Sequence, residues 1–264
     1  MQRIREWLEK LRKKSDAIGY TCDGCGAEVF EYPQKRLCNE CVLSLQRNEK
    51  HRCPKCGRQT ITDGVCLLCK RHAPAFTRGV SPFVYQGNAA SLINRIKNGN
   101  RRLAYYFGEE MAKTLMEEFP KLERYKAGRY ALNEENTEKP ILVLFVPATH
   151  KSQKERGYNQ ARDLAESVFA CLKIQGYAVE IDADVLQKRK ETPQQKHMHF
   201  HERMENVSGA YHVHKRAVCK DRTIVLVDDI MTTGATGDEI AKRLLGAGAK
   251  EVLFLVGTAM PESK

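Results

Sequence analysis

The sequence has no hydrophobic run long enough to cross a membrane, since a spanning helix needs about 20 consecutive apolar residues. Residues 1–19 are too rich in charge to form a secretory signal. Aromatic residues make up 8% of the chain and form no clear stacking ladder for single-stranded nucleic acid. No segment resembles a helix-turn-helix reader, which disfavours a transcriptional regulator. These absences predict a soluble protein of the cytoplasm.

Positive charge is what the chain has in excess. It contains 44 Lys and Arg residues against 33 Asp and Glu residues, a formal net charge of +11. Such a balance favours polyanionic partners, such as nucleic acid or a phosphorylated substrate, although a basic surface also serves solubility. A length of 264 residues with 42% hydrophobic content is enough for one large or two smaller packed domains.

Eight of the ten cysteines form four Cys-x-x-Cys pairs between residues 22 and 69. Clustering of this kind in a cytosolic chain indicates metal thiolates rather than disulfides. The Cys-x-x-Cys-Gly turn occurs twice and is typical of a zinc knuckle, and four thiolates close a structural site. Sequential pairing gives one site from Cys22, Cys25, Cys38 and Cys41 and another from Cys53, Cys56, Cys66 and Cys69. Cross-braced pairing remains open, so the sequence predicts one or two structural zinc ions.

The cysteine-rich segment contains little apolar sequence, so we expect zinc to be required for its folding. Before it, residues 2–18 place apolar side chains on one face of an amphipathic helix, for which we favour docking on its own protein over binding to a membrane surface or to a partner. The predicted organisation is an N-terminal helix (1–20), a zinc-binding domain (21–75) and a larger domain (76–264).

The most informative stretch is residues 223–236, TIVLVDDIMTTGAT. Its first five residues predict a buried strand, and Asp228 and Asp229 follow directly at its carboxyl end. Small and hydroxyl-bearing residues come next, and helical spacing begins at Gly237. A loop at a helix N-terminus can direct backbone N–H groups at a phosphate. Because the two acids would repel a bare phosphate, they should face a neutral, hydroxyl-rich group or a metal, and a sugar phosphate suits both the acids and the loop.

This stretch resembles the phosphoribosyl diphosphate (PRPP) signature of type I phosphoribosyltransferases. The resemblance implies that Asp228 and Asp229 bind the ribose 2′- and 3′-hydroxyls. It also implies that the 5′-phosphate is held by Thr232, Thr233, Gly234, Ala235 and Thr236. The alternative is a strand-to-helix turn whose polar residues only cap a helix. We disfavour it because capping needs one such residue and this loop supplies five.

From residue 78 onwards the hydrophobic pattern is of the α/β type. It predicts strands at 80–85, 141–146, 179–187 and 251–256, and helices at 89–97, 101–119 and 160–173. The polar segment 120–140 is expected to be a surface connection or a flexible insertion, and the basic segment 188–203 a mobile loop. The strand at 141–146 runs into a basic loop at a helix start, where open α/β sheets bind ligands.

The order of the motifs is more specific than any one of them. Four Cys-x-x-Cys pairs precede Arg-Gly-Tyr-Asn-Gln at 156–160, then Thr192 and Gln195 with Arg203 and Asn206, then the PRPP signature. This order closely resembles the ComF family. The resemblance implies a zinc-ribbon or knuckle domain followed by a type I phosphoribosyltransferase fold, Rossmann-like, with a mainly parallel sheet. It also implies a role in natural transformation, handling imported single-stranded DNA beside a helicase-like partner, in the cytoplasm or associated with the membrane through a partner.

The family's site residues transfer only to matching positions. Those matching its pyrophosphate-side segment are Arg156, Gly157, Asn159 and Gln160. Those matching its flexible catalytic loop are Gln195, Arg203 and Asn206. Thr149 and Ser152 stand where many members have His and Arg, so diphosphate contacts are expected instead from Lys151, Lys154 or His150. The nearby His197, His199 and His201 are expected to be solvated or to touch phosphate rather than to bind a metal.

Two functions therefore compete. In a transferase, a nitrogen nucleophile would displace diphosphate from C1 of PRPP, with Mg²⁺ and Arg or Lys side chains stabilising the leaving group. No residue is an obvious base, and the acceptor is unidentified. In a binding protein, the ribose-phosphate site would be retained and the basic surface would hold single-stranded DNA, with Lys188, Arg189 and Lys190 as the candidate contacts.

Overall fold

The computed structural model describes residues 21–31, 34–126, 139–149, 153–154, 157–189 and 200–262. The helix predicted at residues 2–18 lies outside these ranges, as does most of the basic segment after Arg189. Among the described residues, no helix combines the length and the apolar character needed to cross a membrane. The domain boundaries predicted at residues 20 and 75 stay a prediction.

A mainly parallel sheet forms the centre of the molecule. The strands are β1 (Arg78–Val80), β2 (Phe83–Val84), β3 (Ile141–Phe145), β4 (Val179–Ile181), β5 (Leu186–Lys188), β6 (Tyr211–Val213), β7 (Thr223–Met231) and β8 (Glu251–Ala259). In the main sheet the order is β1-β8-β7-β3-β4, with β2 also paired to β8, and the paired strands run parallel. The predicted α/β fold with a mainly parallel sheet is confirmed.

Helices cover both faces of this sheet. They are α1 (Asn39–Leu43), α2 (Leu67–Arg71), α3 (Gly87–Lys97), α4 (Leu103–Glu118), α5 (Gln160–Ile174), α6 (Phe200–Val207), α7 (Arg216–Cys219) and α8 (Ala235–Gly246), with a 3₁₀ helix at Pro120–Tyr125. Apolar residues of α3, α4 and α5 pack with Val143 and Val225 on one face. Those of α8 pack with Leu144 and Leu226 on the other. Each such buried aliphatic side chain stabilises the fold by about 1.5–3 kcal/mol.

The signature strand is longer than the sequence predicted. β7 continues through both aspartates to Met231, because β8 supplies parallel partners as far as Ala259, which lies opposite Met231. Helix α8 begins at Ala235 rather than at Gly237, since Gly234 adopts a left-handed φ of 86° and marks the helix start. The aspartates therefore lie within the last residues of the strand, not after it.

Two predicted single strands are wrong because each is divided. The strand predicted at 80–85 is split into β1 and β2 around Pro82, which lacks the N–H needed to continue a ladder. The strand predicted at 179–187 is split by a turn in which Asp182 accepts a hydrogen bond from Asp184 N at 2.8 Å. As a result β4 joins the main sheet, while β5 pairs antiparallel with β6.

Two segments predicted as irregular contain ordered structure. The start of the segment 120–140 is the 3₁₀ helix, in which Leu122 and Tyr125 are buried. The Tyr125 hydroxyl lies 2.9 Å from Thr223 Oγ1 and so fixes the helix to the start of β7. The basic segment 188–203 begins in β5 and ends in α6, which starts at Phe200. Residues 127–138 and 190–199 lie outside the described part.

Candidate functional site

The cysteines form two compact groups. In each sequential set of four, the Sγ atoms all lie within 4.8 Å of one another. Cys25 Sγ is 3.6 Å from Cys38 Sγ, and Cys56 Sγ is 3.7 Å from Cys66 Sγ. Tetrahedral zinc with bonds of about 2.3 Å to sulfur holds its ligands about 3.8 Å apart. Both groups therefore fit zinc, and the grouping follows sequential rather than cross-braced pairing.

Backbone amides stabilise the thiolate form in the first group. Cys22 Sγ accepts from the N–H groups of Cys38 at 3.2 Å, Gly24 at 3.3 Å and Cys25 at 3.5 Å. Burial opposes ionisation of this thiol, yet these donors lower the pKa of Cys22 to about 7. Since zinc binds the thiolate, this geometry favours metal binding.

The signature loop connects β7 to α8 at the carboxyl edge of the sheet. Thr233 Oγ1 accepts a hydrogen bond from Ala235 N at 3.3 Å, which fixes the loop at the helix start. The first turn of a helix carries unpaired N–H groups and a partial positive charge. Residues 232–236 therefore offer donors that suit a phosphate.

The two aspartates lie near the end of β7, shortly before this loop. Burial, and then the neighbouring charge of Asp229, raise the pKa of Asp228 well above its usual range. Asp229 is 4% exposed, and its Oδ2 lies 3.2 Å from Lys97 Nζ at the end of α3. Lys97 is the ion-pair partner of this Oδ2, and no further donor reaches it among the described residues. A buried acceptor in this state is suited to a hydroxyl or a cation of a ligand.

Lys97 was not predicted as a site residue, because a single lysine at a helix end carries no motif. Its helix is fixed near the site by Tyr158, whose hydroxyl donates to the carbonyl of Ile96. Arg101 in turn lies over the Tyr158 ring, with its guanidinium carbon 5.3 Å from the centroid. The loop after β3 thus helps to place Lys97 against Asp229.

The loop after β3 lies at the same edge as the aspartates. Phe145 pairs with Val227 in the sheet, and Val146 N donates to Val227 O at 2.9 Å. The Asn159 side chain donates to Val146 O at 3.1 Å and accepts from Ala161 N at 3.0 Å. Asn159 therefore holds this loop and caps α5. The nitrogen and the oxygen of its side-chain amide each form a hydrogen bond within the protein.

The remaining predicted residues are only partly described. Lys154 is exposed, and Gly157 has a φ of 74°. Those outside the described residues are His150, Lys151, Ser152, Arg156, Lys190, Thr192, Gln195, His197 and His199. Arg203 and His201 lie in α6, but their side chains are outside the described part, and Asn206 follows in the same helix. The structure thus brings together the aspartates and the signature loop and leaves the catalytic-loop prediction untested.

The predicted nucleic-acid residues that are described lie next to the site. Lys188 ends β5, with its ammonium 5.4 Å from the Tyr211 ring centroid, and Arg189 is exposed. Burial, and then the Asp228 charge, raise the pKa of Tyr211, while the Thr236 side chain opposes this by hydrogen bonding to it. Tyr211 thereby connects the basic strand to the signature loop, a contact that no motif indicated.

A second connection comes from the cysteine-rich segment. Arg58 Nη2 donates to the carbonyl of Thr232 at 2.7 Å, and Arg58 Nε lies 3.3 Å from Cys56 Sγ. Arg58 is 4% exposed. The sequence carried no signal for this role, since the contact joins positions 174 residues apart.

Comparison with known proteins agrees with this geometry. The family model "Phosphoribosyl transferase domain" matches residues 154–263. Competence protein F of Haemophilus influenzae is 27% identical over 235 residues, which cover 88% of this chain and 86% of the relative. Competence protein ComFC of Bacillus subtilis is 24% identical over 225 residues, covering 82% and 80%. DNA utilization protein YhgH of Shigella flexneri is 27% identical over 217 residues, covering 82% and 87%.

Among solved structures, a hypoxanthine phosphoribosyltransferase of Staphylococcus aureus aligns with a TM-score of 0.33 and 12% identity, covering 60% of this chain and 76% of that one. The parallel sheet and the family match define the carboxyl-terminal part of the chain as a phosphoribosyltransferase domain. Over most of its length the chain is a homologue of competence proteins F and ComFC and of YhgH. The resemblance to the ComF family is confirmed.

Proposed function

We propose that this protein binds PRPP or a related ribose 5-phosphate at the β7–α8 connection and acts in DNA uptake. The observation that carries the ligand proposal is the arrangement at the end of β7. The buried Oδ2 of Asp229, which Lys97 alone reaches among the described residues, lies near the end of the strand that leads into a loop at a helix start. Carboxylates accept from ribose hydroxyls, and a helix N-terminus binds phosphate.

The electrostatics of the site favour a ligand that is neutral at one end and anionic at the other. Asp228 and Asp229 repel an anion, whereas the first turn of α8 attracts one. Lys97 partly compensates the paired acids. We expect Mg²⁺ to arrive with the diphosphate of PRPP, because it prefers oxygen ligands and binds through substrate phosphates together with one or two carboxylates.

The names of the relatives and the charge of the chain support the biological role. Two relatives are called competence proteins and one a DNA utilization protein, and this chain carries a net charge of +11. We propose that it handles imported single-stranded DNA in the cytoplasm beside a helicase-like protein, which would also account for any membrane association.

Calorimetric titration with PRPP tests the ligand. We expect Asp229→Asn to weaken binding by at least about tenfold, because it removes a charged acceptor for a ribose hydroxyl. Glu166→Gln is the control, since Glu166 pairs with Arg162 on the outer side of α5. No saturable PRPP binding by the unmodified protein would refute the ligand.

Salt-dependent binding tests the DNA role. Single-strand affinity should fall with salt, and replacing Lys188, Arg189 and Lys190 together by Ala should reduce the logarithmic salt slope by about 2, at about 0.7 per phosphate contact. An unchanged slope and affinity in the triple variant would place the DNA surface elsewhere. Circular dichroism of the triple variant serves as the folding control.

A transferase is the second candidate, and the matched phosphoribosyltransferase domain favours it. A nitrogen nucleophile would form a bond to C1 of PRPP while the C1–O bond breaks. Diphosphate would leave with the electron pair, and the nitrogen would release its proton to solvent. The test is diphosphate release with ammonia or nucleobases, which Asp229→Ala should abolish. PRPP binding without turnover would leave the binding role and refute the transferase.

A further inference from the structure

We propose that Arg58 is a positioning residue through which the second cysteine group fixes the backbone of the signature loop. On this view the second zinc module is a part of the ribose-phosphate site, and metal binding there supports ligand binding at the loop. The proposal rests on the ligand proposed above and concerns how its loop is held.

The guanidinium group of Arg58 spans the two sites. One nitrogen lies 3.3 Å from Cys56 Sγ and another donates to Thr232 O at 2.7 Å. Thr232 is the first residue of the loop, so this bond sets the direction in which the chain leaves β7. Because a guanidinium is a rigid planar fork, fixing one end at a metal-ligand sulfur also fixes the other. Arg58 itself is 4% exposed, so little water competes for its guanidinium group.

Close backbone packing prevents the module from sliding. Gly57 has a φ of 72°, and a side chain there would overlap the carbonyl oxygen of Gly79. Gly79 N donates to Lys55 O at 2.9 Å, and Asn48 Nδ2 donates to Gly57 O at 2.8 Å. The turn that carries the second group is thus packed closely against the start of β1, which limits its movement relative to the sheet.

A second anchor joins the same module to the first turn of α8. Asp238 is 1% exposed and accepts from Ala75 N at 2.7 Å, from His72 Nε2 at 2.8 Å and from Lys242 at 2.9 Å. Burial opposes its ionisation, but these donors lower the pKa of Asp238 below its usual value. The module therefore contacts both the start of the signature loop, at Thr232, and the helix that follows the loop, at Asp238.

The first group makes different contacts. Arg95 and Asn100 donate to the carbonyls of Gly24 and Asp23, the latter at 3.0 Å, and Arg102 lies 3.4 Å from the Asp23 carboxylate. These bonds attach it to α3 and the start of α4 rather than to the signature loop. Coupling to the loop is therefore a property of the second group. By linkage, a bound ligand should raise the zinc affinity of this group by the same factor by which zinc raises the affinity for the ligand.

Arg58→Met and Arg58→Lys test the proposal, with Arg52→Met as the matched control. Arg52 belongs to the same module but pairs with Glu118 on α4. Three quantities are measured on each full-length variant: zinc content, hydrogen exchange of residues 231–238, and PRPP affinity. We expect faster exchange and about tenfold weaker PRPP binding in both Arg58 variants, because the lysine keeps the charge but loses the fork. Arg52→Met should leave both unchanged.

Hydrogen exchange separates this proposal from the ligand proposal. If Arg58→Lys retains zinc and the loop exchanges as in the unmodified protein, the positioning role is refuted whatever PRPP does. If the unmodified protein binds no PRPP but the loop loosens in Arg58→Lys and not in Arg52→Met, the positioning role holds and the ligand is wrong. Should Arg58→Met fail to fold, the lysine variant alone decides.

Discussion

The two cysteine modules have the same local structure and different surroundings. In each, the first cysteine donates its N–H across the knuckle turn, from Cys22 to Ala27 O at 2.7 Å and from Cys53 to Arg58 O at 2.9 Å. In each, the third cysteine caps a short helix through its sulfur, α1 in the first module and α2 in the second. The repeat predicted from the sequence is thus a repeat of structure.

Their docking differs in face and in burial. Cysteines of the first group pack with the core of α3, α4 and α5, and Cys25 remains exposed. The second group packs with the core of α8 on the other face, and all four cysteines are buried. The same four-cysteine motif is therefore docked on two different faces of the sheet. Its chemistry fixes each knuckle, whereas the side chains around it decide what the knuckle supports.

This difference assigns each module a separate influence on the candidate site. The first module holds α3, whose last residue, Lys97, supplies a positive charge to Asp229. The second holds the backbone of the signature loop through Arg58. We infer that the first module acts on the charge of the site and the second on its geometry.

Removing one cysteine from each group should give the largest effect. Cys56→Ser should release the second zinc and weaken PRPP binding about 10- to 100-fold, since the loop loses its support. Cys25→Ser should release the first zinc and weaken binding by less than about tenfold. Zinc stoichiometry and calorimetry measure both. If PRPP affinity fell more in Cys25→Ser than in Cys56→Ser, the first module and not the second would be the main support of the loop.

A matched pair of glycines tests the docking without touching a metal ligand. Gly26 and Gly57 occupy equivalent positions with φ of 82° and 72°, and a side chain at Gly26 would meet nothing within 4 Å. Gly26→Ala should therefore cost about 1 kcal/mol of backbone strain. Gly57→Ala should cost about 1–3 kcal/mol more, because the methyl group overlaps Gly79. The free energies of unfolding in urea measure the difference, and equal values would show that the second module tolerates displacement.

The sequence predicted those features that depend on local patterns. The parallel sheet followed from runs of buried β-branched residues, and the zinc groups followed from Cys-x-x-Cys spacing. The signature was recognisable because acids, small residues and a helix start occur in a fixed order over residues 223–236. Each of these patterns is contained within a short stretch of chain.

Contacts between distant segments were not predictable in the same way. Arg58 is one of many basic residues, and its role depends on Gly57 lying against Gly79, which only the folded chain shows. Lys97 depends on Tyr158 holding its helix. The end of β7 was misplaced because strand length depends on β8, which supplies partners past Asp229. Tertiary contacts decided each of these features, and none of them has a fixed spacing in the sequence.

The pH dependence of ligand binding should distinguish the effect of the first module on the charge of the site from the effect of the second module on its geometry. Burial and the Asp229 charge raise the pKa of Asp228, while Lys97 lowers it. A ribose hydroxyl binds best to the ionised carboxylate, so affinity should fall as the pH decreases through this raised pKa, and binding should release a proton. Asp228→Asn should abolish the part of the pH dependence that comes from Asp228 and leave only the titration of the ligand phosphates.

Lys97→Met and Arg58→Lys should then respond differently. Without the ammonium group, the pKa of Asp228 rises further, so in Lys97→Met the fall in affinity should begin at a higher pH. Arg58→Lys should weaken binding equally at every pH without moving the midpoint, because the loop changes its position and not its charge. Calorimetry across the pH range of the folded protein measures both. A midpoint shift in Arg58→Lys would mean that the second module also acts through charge, and the division between the two modules would not hold.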